Sequence, residues 1–193
     1  MARKLTDRSL RALQTKKKLF RSAAKLIDKY GYDDVTIEDI CRKAGVSVGA
    51  FYHYYNSKSD IIVEFFKEID YYYEDKVLPK LTGNPEENIE TFLRYYAVFH
   101  VDQGIGHTSM VVKIQHDFFL DKSRYMHKML LDLINAAKTE GVFRDDTDPE
   151  EIEDFLLVIA RGLLFDWSLA HGEYDLVAKM DAYVKLAMLP FKQ

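Results

Sequence analysis

At 193 residues the chain is long enough for a full hydrophobic core, either as one larger domain or as a small domain joined to a medium one. Its 48% hydrophobic and 30% charged residues, with nine glycines and four prolines, exclude a disordered or low-complexity chain; with no apolar run of about eighteen residues and no leader-like core behind Arg3-Lys4, a soluble cytoplasmic protein with no membrane partner is expected. The net charge of -4 hides an asymmetry, because residues 1–60 carry 13 Lys/Arg against 7 Asp/Glu and residues 61–193 carry 14 against 24, the footprint either of a protein that offers one end to a polyanion or of a solvated charged face.

Nearly everything reads as helix. Apolar positions Leu13, Leu19, Phe20, Ala23, Ala24 and Ile27 recur at helical spacing, and Gly31 supplies a stop, so a first helix is predicted over about 9–30. Thr36, with Asp39 three residues on, forms a capping box for a second helix over 37–44, closed by Gly45. Cys41 within it has no disulfide partner and reads as packing. Only Gly45 and Val46 separate that helix from Ser47, the N-cap of a third short helix ending near Tyr55, and two short helices joined by a glycine turn make a helix-turn-helix. Ser57 and Asp60 repeat the capping signature before a fourth helix that runs toward Leu78 and Pro79.

Asn84-Pro85-Glu86-Glu87 opens a fifth helix that breaks at Gly104 and Gly106. A weak helix over about 107–116 and a strong one over about 119–140 follow, the latter striped by Met126, Met129, Leu130, Leu133, Ile134 and Ala137 and closed by Gly141. Asp148-Pro149-Glu150-Glu151 starts a helix reaching about His171, and the last helix spans about 175–189. The fold class is therefore all-α with about nine helices, divided into a helix-turn-helix domain over 1–56, a connecting helix and linker over 57–83, and a helical sensing and pairing domain over 84–193.

On a helical wheel the third helix turns Phe51 and Tyr55 inward, sets Val48 and Tyr52 on the flanks and leaves Gly49, Ala50, His53 and Tyr54 outward. Small residues in its first turn let the backbone approach a surface, and the aromatic tips can meet phosphates or sugars, which suits a DNA major groove. The segments Val35-Thr36-Ile37-Glu38-Asp39-Ile40 and Ala44-Gly45-Val46-Ser47-Val48-Gly49-Ala50-Phe51-Tyr52-His53-Tyr54-Tyr55-Asn56-Ser57-Lys58 closely resemble the DNA-binding domain of the tetracycline-repressor (TetR) family, over about residues 10–65. The resemblance implies that Thr36 and Ser47 bond phosphates, that Tyr52, His53 and Tyr54 contact backbone and base edges, that Lys58 pairs with a phosphate, and that Val48, Gly49 and Ala50 line the groove. Tyr55 stands where phenylalanine is more usual, so its hydroxyl needs a partner. The helix holds no Arg, Lys, Asn or Gln, so readout is expected to lean on thymine methyls and DNA shape. The run Arg3, Lys4, Arg8, Arg11, Lys16, Lys17 and Lys18 is either an arm over the DNA backbone or a solvated terminus.

Beyond residue 84, Tyr96, Phe99, His100, Met110, His116, Phe119, Met126, Phe165 and Trp167 are candidates for lining an effector cavity, with ordinary core as the alternative for each. Asp166 shares a wheel arc with Phe155, Ile159, Gly162 and Leu163, where a carboxylate must find a partner, either a ligand or a structural ion pair. Arg161 is placed opposite, for surface pairing with Glu150 and Asp154. The helix over 149–171 is apolar around much of its circumference, so it has a second face for a partner chain and, with the last helix, a two-fold four-helix dimer interface. No histidine pair has ligand spacing and no nucleophile or phosphate-loop pattern is present, so neither a metal, another cofactor nor an enzymatic activity is expected. The implied function is a ligand-responsive regulator, a repressor that binds a pseudo-palindromic operator in double-stranded DNA as a homodimer and is released by a small molecule. The alternative is a DNA-bound adaptor whose C-terminal half binds a protein.

Overall fold

The computed structural model describes residues 7–113 and 121–193, and among them nine α-helices and no strand. They are α1 (Asp7–Tyr30), α2 (Ile37–Ala44), α3 (Val48–Tyr54), α4 (Asp60–Tyr72), α5 (Pro85–Gln103), α6 (Ile105–Lys113), α7 (Tyr125–Thr139), α8 (Pro149–Leu169) and α9 (Leu176–Met188). The chain divides into two compact units within α4, Met1–Phe65 and Phe66–Gln193, so the segment 57–83 is shared between them.

In the first unit α1 packs on α2 and α2 on α3. Its core is Leu19, Ala23 and Ile27 of α1, Val35, Ile40 and Cys41 around α2, Phe51 and Tyr55 from α3 and its end, and Ile61 of α4, all nearly or wholly buried. The α1 residues sit four apart, so one stripe of a single helix closes the base of this small core. Burial pushes the Cys41 thiol up, in keeping with a packing role.

The second unit is built around α5, which packs on α9, α7, α6 and α8, while α8 packs on α7, α6 and α9. Ile89, Phe92, Leu93 and Ala97 are completely buried in α5, because a helix with neighbours on most sides needs apolar residues around most of its circumference. Asn84 starts it with a full capping box, accepting from Glu87 N at 2.9 Å. The break that follows is Gly104 alone, with φ +88°; Gly106 lies inside α6, which resumes at Ile105. The C-terminal helices also differ at their ends, α7 beginning at Tyr125 and α8 stopping at Leu169, where His171 and Gly172 both take left-handed backbone.

The fourth helix differs in kind at its end. Past Tyr72 the turn widens into a π segment over Tyr73–Val77 and then tightens into a 3-10 turn over Leu78–Lys80. Proline 79 offers no N–H to continue an α ladder, and the re-spaced turn keeps Tyr73 and Val77 fully buried, with the Tyr73 hydroxyl donating to Phe92 O at 3.0 Å.

Candidate nucleic-acid interface and the buried polar groups of the second unit

The cap of α2 is closed on itself. Thr36 Oγ1 accepts from Asp39 N at 3.1 Å and donates to Asp39 Oδ2 at 2.6 Å, while Thr36 N donates to the same carboxylate at 3.1 Å. These bonds, assisted by Arg42, hold the Asp39 carboxyl below its usual range. Both Thr36 hydrogens are therefore committed, and the phosphate contact expected of Thr36 requires Asp39 to let go. Gly45, at φ +68°, turns the chain so that Val46 N reaches Cys41 O at 3.1 Å, and α3 begins two residues later. Ser47 differs from Thr36: Oγ accepts from Ala50 N at 3.1 Å and keeps its own proton for an outside acceptor.

Phe51 and Tyr55 point inward as expected, their rings 5.5 Å apart. The Tyr55 hydroxyl lies 3.5 Å from Lys16 O, which supplies the partner its position demands. The exposed stripe of α3 is Val48, Gly49, Tyr52 and His53, with Ala50 and Tyr54 half-buried. Tyr52 is thus a face residue, 55% exposed, rather than a flank. A Cβ built at Gly49 would meet only Ser47 Oγ, at 3.9 Å, so the space before this turn is open.

Lys58 lies at the opposite end of the motif. Its Nζ donates to Tyr32 O at 2.6 Å and Val35 O at 2.9 Å and sits 4.0 Å from the Tyr32 ring centroid. The lysine expected to pair with a phosphate therefore clamps the loop before α2, and an ammonium with three hydrogens has one left to offer. Among the basic residues of α1, Lys16 is committed to Glu64 at 2.5 Å, whereas Lys17, Lys18, Arg21, Lys25 and Lys29 are exposed. Arg3 and Lys4 lie outside the described residues, as do the side chains of Arg8 and Arg11.

Of the candidate cavity residues, Tyr96, Phe99, His100, Met126 and Trp167 are buried in the second unit. His116 and Phe119 lie outside the described residues, as does the Met110 side chain. Tyr96 and His100 meet edge to face at 5.0 Å, and His100 Nδ1 lies 3.3 Å from Thr108 Oγ1. Burial holds His100 down to about 3, with His107 adding to it, and burial alone holds His107 to about 4, so both are neutral at ordinary pH.

Two of the cavity candidates are not among the buried residues. Phe165 is 51% exposed, and Asp166 is exposed too, taking the ion-pair alternative by accepting from Lys179 Nζ at 2.8 Å and the Tyr174 hydroxyl at 2.9 Å. The wheel identified two apolar arcs on α8 without saying which one packs inside; the inward one runs through Ile152, Leu156, Ala160, Leu163 and Trp167. For the same reason Glu150 and Asp154 are reached by Lys122, at 3.4 and 3.2 Å, while half-buried Arg161 is close enough to Tyr96 for its charge to favour the ionised hydroxyl against the burial that raises it.

The sequence reading missed two polar pairs. Arg124, the N-cap residue of α7, donates to Asp70 Oδ2 at 3.0 Å, to Asp70 Oδ1 at 3.2 Å and to Phe66 O at 3.1 Å, gripping α4 while its guanidinium lies 5.0 Å from the Phe66 ring centroid. One turn further on, His127 Nδ1 lies 2.6 Å from Glu153 Oε1, both side chains being at most 4% exposed. An acid interrupting the α8 stripe before Leu156 and Leu157, and a histidine beside Met126 in the α7 stripe, were the available signals. Among the described residues no group of three or more His, Cys, Asp or Glu is placed to hold a metal, and no helix is long and apolar enough to cross a membrane.

Residues 19–65 match the family described as bacterial regulatory proteins, tetR family. Among full-length relatives, the transcriptional repressor KstR2 of Mycobacterium tuberculosis (strain H37Rv) is 27% identical over 154 residues, covering 72% of this chain and 74% of that protein. The fatty acid metabolism regulator protein of Bacillus subtilis (strain 168) is 26% identical over 180 residues, covering 86% and 89%. The crystal structure of the Bacillus subtilis transcriptional regulator FadR in complex with stearoyl-CoA shares the fold, with a TM-score of 0.74 at 17% identity over 89% of this chain and 96% of that one. With a capped helix-turn-helix that presents an exposed α3 stripe inside the segment 19–65 that matches the tetR family, and a helical fold shared with these regulators, the chain is similar to tetR-family proteins and is a ligand-responsive, DNA-binding transcriptional regulator.

Proposed function

We propose that the chain acts in the cytoplasm as a homodimeric repressor, holding a pseudo-palindromic operator and letting it go when an acyl thioester enters the second unit. In this reading 1–56 touches DNA, 57–83 connects, and 84–193 senses and pairs. The observation that carries it is the exposed α3 stripe of Val48, Gly49, Tyr52 and His53, which has nothing within its own unit to cover it. Ser47, Ala50, Tyr54 and the third Lys58 hydrogen complete the contact surface. With no Arg, Lys, Asn or Gln in α3 to make bidentate pairs with base edges, the operator leans toward A·T through thymine methyls and groove shape.

Pairing is supported by a second stripe. On α8, Phe155, Val158, Gly162, Phe165 and Leu169 recur at spacings of three and four, and all are exposed in the single chain. Leu186 of α9, 62% exposed, extends the apolar surface. A heptad-like apolar stripe with a glycine at its centre fits the crossing of two helices related by a two-fold axis.

The acyl thioester is supported by the Bacillus subtilis regulators, one a fatty acid metabolism regulator and one solved with stearoyl-CoA. Tyr96, Phe99, His100, Met126 and Trp167 are the residues assigned to face it. Ligand packed between α5 and α8 displaces the start of α7, Arg124 draws α4 with it, and the spacing of the two α3 helices in the dimer leaves register with successive major grooves. Selection of bound sequences from random duplex DNA, followed by stearoyl-CoA titration of the winning site, tests the whole chain of events. An A·T-leaning palindrome released by stearoyl-CoA is expected; an asymmetric site, or one that no acyl thioester releases, refutes it.

A further inference from the structure

The positive charge of the first unit is not on its DNA-reading helix. Of the 13 Lys and Arg residues in 1–60, 10 lie before Tyr30 and none lies in α3. Lys16, Arg42 and Lys58 are committed inside the unit, to Glu64, to Asp39 and to the loop before α2. Lys17, Lys18, Arg21, Lys25 and Lys29 of α1 are all exposed, and none of them has an acidic partner among the described residues.

Placed at about 100° per residue, these five cations fill an arc of about 120° on α1, opposite Leu19, Ala23 and Ile27, which α1 gives to the core. Between Lys17 and Tyr30 the one acid in that arc is Asp28. From Lys17 to Lys29 the helix rises about 18 Å, so the strip carries one positive charge per about 3.6 Å. One strand of B-DNA presents a phosphate per about 3.4 Å of helix axis, and the two linear charge densities match. The strip is also separate from the α3 contact. Phe51 of α3 and the three α1 residues point into the same small core, so the exposed faces of the two helices leave it on different sides. A duplex seated on Val48, Gly49, Tyr52 and His53 leaves the strip open.

We propose that the outer face of α1 is a second duplex-binding surface, blind to sequence, on which Lys17, Lys18, Arg21, Lys25 and Lys29 take phosphates of a DNA segment other than the one held by α3. Phosphate contacts carry no base information, so any duplex suffices, and α3 keeps the protein where duplex is abundant. A regulator seated on its operator thereby gathers a further stretch of DNA and bridges two segments, which goes beyond repression at a single site.

The test tethers the selected operator duplex to a surface, loads it with protein, washes, and adds a labelled duplex of random sequence. Five contacts through one strip give wild-type capture a salt slope of about 4.5, a fall of about 500-fold in affinity between about 50 and about 200 mM salt. Combining Lys17→Gln, Arg21→Gln and Lys25→Gln removes three of these contacts at exposed helix positions that glutamine suits. Folding, read by circular dichroism, should be unchanged and operator affinity should stay within about twofold, while the capture slope drops to about 1.8. No capture by the wild type, or equal capture by the variant, overturns the proposal. So does a variant whose operator slope falls instead, because the strip would then lie on the operator's own flanks. Salt-sensitive self-association without DNA, lost in the variant, would give the strip to the acidic second unit of another copy and overturn it as well. If selection yields no operator, operator binding is refuted, and the strip is still tested by the salt slope of binding to random duplex, which the variant should lower by about 2.7.

Discussion

Replacing Lys58 with methionine separates two roles that the sequence alone assigned as one. The ammonium makes charge-assisted bonds to Tyr32 O and Val35 O at 2.6 and 2.9 Å and a cation–π contact with Tyr32 at 4.0 Å. At half burial these together are worth about 2 kcal/mol, the low end of the range for charged hydrogen bonds. Methionine keeps the stem's volume and loses all three, so urea unfolding should show a loss of that size. Operator affinity will fall for that reason alone, because the loop leading into α2 is loosened, and a simple binding assay cannot say whether Lys58 also meets a phosphate. The salt dependence can. Each subunit of the dimer loses one phosphate contact, so two lost contacts lower the slope of log K against log salt by about 1.8, and the wild-type advantage over the variant should shrink by about twelvefold between about 50 and about 200 mM salt. An unchanged slope with reduced stability would show that Lys58 is a structural clamp with no phosphate of its own.

Three other outcomes follow from the same structure. Gly162→Leu introduces a Cβ that meets nothing within 4 Å, on an exposed face, and improves helix propensity by about 0.8 kcal/mol; it should leave the protomer folded yet abolish the dimer in sedimentation velocity, and a persistent dimer would remove α8 from the interface. Tyr52→Ala, at a 55% exposed position, should change stability by less than about 0.5 kcal/mol while weakening operator binding about tenfold, checked by thermal melts and fluorescence anisotropy; undiminished binding would sink the α3 assignment. His100 and His107, held down to about 3 and about 4 from an ordinary 6.5, refuse protons that the unfolded chain accepts. Their stabilising effect is complete above about pH 6.5 and is lost as pH falls toward 4, so unfolding free energy should drop between pH 6.5 and 5 with a slope approaching about 2.7 kcal/mol per pH unit for two protons. A His100→Gln, His107→Gln double variant that keeps the full slope would contradict this.

Local chemistry written in a few adjacent residues was legible without coordinates. Thr36 with Asp39, Gly45 and Ser47 lie within twelve positions, and their caps and the left-handed turn follow from side chains that satisfy nearby backbone groups, so α2 and α3 emerge at the residues expected. Asn84 and Asp148 mark helix starts for the same reason. The inward positions of Phe51 and Tyr55 also followed, because a small three-helix core leaves a seven-residue helix one apolar side to bury.

What the sequence could not decide is which of two apolar arcs faces inward once a helix has more than one neighbour. On α8 that ambiguity kept Phe165 among the cavity candidates, left Asp166 open between a ligand and an ion pair, and left Glu153 unnoticed, since an acid's burial depends on a partner 26 residues away on α7. The switch of α4 into a π segment, the clamp of Lys58 on the loop 23 to 26 residues before it, and the hold of Arg124 on Asp70, 54 residues away, are likewise products of distant chain segments meeting. Caps and turns are short-range and leave their signatures in neighbouring residues, so the chain by itself determined its helices and its DNA-reading element. The pairing of buried charges is long-range and is set only when helices pack, so the tertiary structure alone decided which polar groups are committed and which remain exposed.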